Sequence, residues 1–63
     1  MSADLVVRVR GALANIERYA ALCRELHDEG LRRGDAKLAA TASAKANAYE
    51  RSASVLRDAM EER

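Results

Sequence analysis

Apolar residues, mostly small, recur through the second half of the chain at one spacing. Ala39, Ala42, Ala46, Tyr49, Ala53, Leu56 and Met60 are separated by alternate steps of three and four. Residues at that period share one side of an α-helix. Alanine holds most of the row toward its N-terminal end, so a facing helix can approach closely there. This row constrains the fold more than any other feature, and it specifies no activity.

The first half supplies the facing helix. Leu5, Val9, Ala12, Ile16, Tyr19, Cys23 and Leu26 follow the same spacing, and Val6, Leu13, Ala20 and His27 form a second row beside them. Together they make a stripe wider than a two-stranded coil needs, the width of a helix in a bundle. Large residues on the first helix are expected to fill against small ones on the second.

The ends of both helices can be read from cap residues. Ser2 is a good N-cap and Asp4 suits the first turn. Gly30 is predicted as the left-handed C-cap of the first helix, with Leu31 as its hydrophobic companion. Gly34 permits the reversal, and Asp35 caps the second helix. The predicted fold is all-α: an antiparallel two-helix hairpin, about 3–29 and 36–62, in one domain spanning 1–63. Gly11 falls inside the first helix, where glycine costs ~1 kcal/mol relative to alanine. It marks either a close backbone approach or a tolerated weak spot.

A 63-residue chain of this design has little core. Chains of this size bury only ~60% of the surface they expose when unfolded. One cysteine cannot close an internal disulfide, so self-association or docking on a larger partner is the expected staple. The open end of the hairpin gathers Leu5, Val6, Val7, Val9, Leu13, Val55, Leu56, Ala59 and Met60, more than one hairpin can bury. These residues are predicted to form an interface, used either for a homodimer arranged as a four-helix bundle or for a protein partner.

Eleven basic and ten acidic residues leave the chain near neutrality. That balance disfavours a strong sequence-independent nucleic-acid binder. No apolar run approaches the roughly 18 residues of a membrane span, and Met1 to Asp4 lacks the basic start of a secretion signal. The expectation is a cytoplasmic protein with no membrane partner. Much alanine and arginine without tryptophan or phenylalanine fits a GC-rich bacterial or phage genome.

Few residues suggest chemistry. Cys23 and His27 share a helix face and could form half of a metal site completed by a second subunit, but a buried thiol beside a marginal histidine is the simpler reading. Tyr19 and Tyr49 lie near mid-helix and could meet across the hairpin. Asp4 with Arg8, Arg24 with Asp28, and Arg57 with Glu61 are helix-spaced ion pairs. No cleft or convergent titratable set is expected, so the reading is a non-enzyme with no catalytic residue, metal or cofactor.

Glu50, Ser54, Arg57 and Glu61 are spaced four, three and four, and Glu17, Ala21, Arg24 and Asp28 repeat that spacing. The pattern resembles the ExxxSxxRxxxQxxxD motif with which an actinobacterial family of helical-hairpin anti-sigma factors binds cyclic di-GMP. Glu61 replaces the Gln, Ala21 replaces the Ser of the first copy, and the last motif position of the second copy falls past Arg63. The resemblance implies that Arg24 and Arg57 engage guanines while the carboxylates accept from base edges. In layout, the hairpin also resembles the Rop family of plasmid copy-number regulators, which dimerise into a four-helix bundle and bind paired RNA loops. That family's RNA face surrounds a phenylalanine that this chain lacks. Arg8, Asn15 and Arg18 offer a partial counterpart, interrupted by Glu25.

The functional expectation is a small non-enzymatic regulatory or adaptor protein acting through helix–helix contacts as a homo-oligomer. The alternative is an RNA- or nucleotide-binding regulator using Arg24, Arg57, Arg32 and Arg33. Its candidate ligand residues are Glu17, Arg24, Asp28, Glu50, Ser54, Arg57 and Glu61.

Overall fold

Helix α1 spans Ala3–Arg32 and helix α2 spans Ala36–Glu61. They pack antiparallel in a computed structural model that describes residues 2–61. Ser2 opens α1 as expected: its backbone is extended and its hydroxyl accepts the Leu5 amide at 3.2 Å.

The turn departs from the sequence reading. Gly30 is not the C-cap, and α1 continues three residues beyond the predicted end at Glu29, to Arg32. The left-handed residue is Gly34, at φ +70°. Its amide donates to the Leu31 carbonyl at 3.2 Å, and the Asp35 amide donates to the Gly30 carbonyl at 2.8 Å. Those two bonds are the Schellman closure of a helix end. Asp35 then turns to α2, where its carboxylate accepts the Leu38 amide at 3.0 Å. One residue therefore closes the first helix and caps the second.

Gly30 has a packing role instead. It is buried, and a Cβ added there would lie 2.8 Å from the Ala39 nitrogen. Only glycine allows α2 to come this close. Gly11 has no such neighbour: a Cβ there would meet nothing within 4 Å. Of the two explanations for Gly11, close approach to α2 is removed.

The seam of α2 is the predicted one. Ala39, Ala42, Ala46 and Ala53 are buried, and Tyr49, Leu56 and Met60 are half-buried. The seam of α1 draws on both predicted rows. Val6, Val9, Leu13, Ile16, Ala20, Cys23, His27 and Gly30 are all buried or half-buried. The row of Leu5, Ala12, Tyr19 and Leu26, expected within the seam, is exposed. Stepping outward from the Gly30–Ala39 contact, the heptad register sets His27 opposite Ala42, Cys23 opposite Ala46, and Ala20 opposite Tyr49. Ile16 then faces Ala53, and Leu13 faces Leu56. Small residues thus occur in every layer near the turn, and large ones face each other at the open end.

The core is correspondingly thin. Its buried apolar members are Ala20, Cys23, Ala39, Ala42, Ala46 and Ala53, none larger than cysteine. The molecule measures 48 × 16 × 11 Å, a slab one helix thick. No described helix is long and apolar enough to cross a membrane.

Candidate functional site

The helix pair has two long flanks, and they differ in chemistry. On one flank, Glu17 and Arg24 of α1 face Arg57 and Glu50 of α2. Arg57 donates to Glu17 at 2.6 Å. Arg24 donates through Nε to Glu50 at 3.1 Å, forms a second bond to the same carboxylate, and reaches Asn47 at 3.3 Å. The guanidinium holds the Glu50 carboxyl below its usual range by hydrogen bonding, and Glu50 raises Arg24 in return.

The reciprocity follows from the sequence repeat. In each helix an arginine follows a glutamate by seven residues, two helical turns on the same side. Run antiparallel, each glutamate meets the other helix's arginine. The four side chains rim a shallow groove of about 300 Å³ floored by Ala20, Ala21 and Ala53. Four of the seven candidate ligand residues therefore converge. Asp28, Ser54 and Glu61 do not line the groove. The expected pairing of Arg24 with Asp28 and of Arg57 with Glu61 gives way to cross-helix pairs, because small seam residues bring the helices within reach of each other's side chains.

The opposite flank is apolar. Leu5, Ala12, Tyr19 and Leu26 recur every seven residues along α1, with Leu22 beside them. Val55 and Ala59 lie on the matching side of α2. Tyr19 is 51% exposed, yet its ring meets that of Tyr49 at 5.8 Å between centroids. The predicted meeting of the tyrosines occurs, at the seam's edge rather than inside it. Among the described positions of this flank, charge is confined to Arg8, Glu29, Arg33 and Lys45. Glu29 is bonded to Arg32, which lowers its pKa.

Of the nine predicted interface residues, Val6, Val9, Leu13, Leu56 and Met60 are half-buried in the hairpin's own seam. Leu5, Val7, Val55 and Ala59 are exposed. Sequence reasoning missed Leu22 as an exposed apolar residue, although its position three after Tyr19 was available as a signal. It also assigned Tyr19 and Leu26 to the core. Cys23 is buried and His27 half-buried on the seam, facing alanines in the register. His27 Nδ1 lies 3.4 Å from Asp28, and no group of three or more potential metal ligands occurs among the described residues.

No family model, no curated protein and no solved structure matches the chain. The two resemblances therefore stand on layout and residue spacing alone.

Proposed function

We propose that this chain is a small non-enzymatic regulator or adaptor that works through helix–helix contacts as a homo-oligomer. The observation that carries the reading is a mismatch between core and surface. Every buried apolar residue among those described is small, while Leu5, Val7, Tyr19, Leu22, Leu26, Leu31 and Val55 stand exposed. The hairpin exposes 4853 Å², whereas a compact protein of this mass exposes roughly 4,000 Å². The excess follows from the elongated shape, 48 Å long and one helix thick, which side-by-side association would reduce. Light scattering of the full chain tests the reading. A mass of two or more chains supports it, and a single-chain mass at high micromolar concentration overturns it.

The groove of Glu17, Arg24, Glu50 and Arg57 supports a second reading, a regulator that binds RNA or a guanine dinucleotide. A ligand would have to displace or bridge the two ion pairs. Titration with cyclic di-GMP and with a paired RNA loop at low salt tests this. Binding lost in Arg24→Ala and Arg57→Ala supports it, and no binding at low salt removes it.

A further inference from the structure

We infer that the apolar flank, centred on Tyr19, Leu22 and Leu26, is the face on which a second copy of this chain docks, leaving the charged groove outward. The inference rests on the homo-oligomer reading and adds which face is used.

Five of the seven exposed large apolar side chains belong to this flank; only Val7 and Leu31 lie on the other. Among the described residues, the flank positions between Arg8 and Glu29 of α1 carry no charge, nor do those after Lys45 of α2. In the antiparallel register the uncharged stretch of α2 lies level with residues 10–21 of α1, so the patch runs across both helices from Ala12 to Tyr19, while Leu22 and Leu26 flank the level of Lys45. Burying the opposite flank would take four charged side chains out of water, which costs more than their mutual attraction returns unless every bond survives.

The patch is also complementary to itself. Its large residues are concentrated on α1, and its α2 positions are mostly small: Ala48, Ser52 and Ala59. A two-fold axis places α1 of each copy over α2 of the other, seating large on small twice, as an isologous interface requires. Leu22 and Leu26 share an open strip of the α1 surface with Glu25, Glu29 and Arg32 at its margin.

Sedimentation equilibrium of the unaltered chain, Leu22→Asp and Val7→Asp tests the face. The expected result is that Leu22→Asp weakens association about tenfold or more, while Val7→Asp leaves it within about twofold of the unaltered chain. Should Leu22→Asp also lose helix, hydroxyl-radical footprinting of the unaltered chain decides instead. Tyr19, Leu22 and Leu26 should become protected on association, with Val7 and Leu31 unchanged. A dimer that dissociates with Val7→Asp and tolerates Leu22→Asp overturns the face but keeps the homo-oligomer. A dimer protected on Val7 and Leu31 does the same. A chain monomeric at high micromolar concentration overturns both, and the flank then belongs to a different protein.

Discussion

The two helices of this hairpin have unequal tasks. Helix α2 buries four alanines against its neighbour and leaves one large apolar residue exposed, Val55. Helix α1 buries only Ala20, Cys23 and Gly30, and leaves six large apolar residues exposed. Both carry heptad rows, but α2 has one row and one partner, whereas α1 has two adjacent rows and only one partner within the chain. A helix with an apolar row to spare points to association beyond the hairpin.

The most disruptive way to break this contrast is Ala46→Leu. Ala46 is 0% exposed, and a larger side chain there forces the helices apart. A loss of about 1–3 kcal/mol is expected in thermal or urea unfolding, accompanied by loss of the Tyr19–Tyr49 approach. Gly30→Ala comes next. In an ordinary helix interior this change stabilises by ~1 kcal/mol. Here the new Cβ would stand 2.8 Å from the Ala39 backbone, so the melting temperature should fall.

Gly11→Ala is the matched control on the same helix. With nothing within 4 Å, the ordinary gain of up to ~1 kcal/mol is expected as a raised melting temperature. Opposite signs for the two glycines would locate the close approach at the turn.

The smallest effect is electrostatic. Glu50 and Glu29 are held below their usual range by Arg24 and Arg32. Groups whose folded-state pKa is depressed stabilise above the unfolded value, about 4.3 for glutamate, and lose that contribution as pH falls through the folded-state value. Stability should therefore be level from neutral pH to about pH 5 and fall below it. Glu50→Gln should flatten part of the fall in a melting-temperature series, by a small amount because the pair is exposed.

These contrasts also explain what could be read in the sequence. The α2 seam was legible because it had no competitor, and Asp35 was legible because a cap needs only local chemistry. On α1, two rows shared Val9, Ile16 and Cys23, and periodicity could not choose between Leu5, Ala12, Tyr19, Leu26 and Val6, Leu13, Ala20, His27. Packing chose the row of Val6, Leu13, Ala20 and His27, which puts Ala20 rather than Tyr19 in the closely spaced part of the seam. The same closeness moved the C-cap from Gly30 to Gly34: both glycines could adopt the left-handed turn, but only one was needed against Ala39. In the candidate site, the Glu-to-Arg repeat was visible as spacing. Its pairing was not, because the partner of each arginine depends on the antiparallel register.

The most direct test of the unequal-helix account is helicity, followed by circular dichroism, as the full chain is diluted from high to low micromolar concentration. If the second row of α1 requires a partner copy, helicity should fall on dilution in step with dissociation to single chains. A single chain that keeps its full helicity throughout would contradict the account, because the thin alanine seam would then suffice on its own.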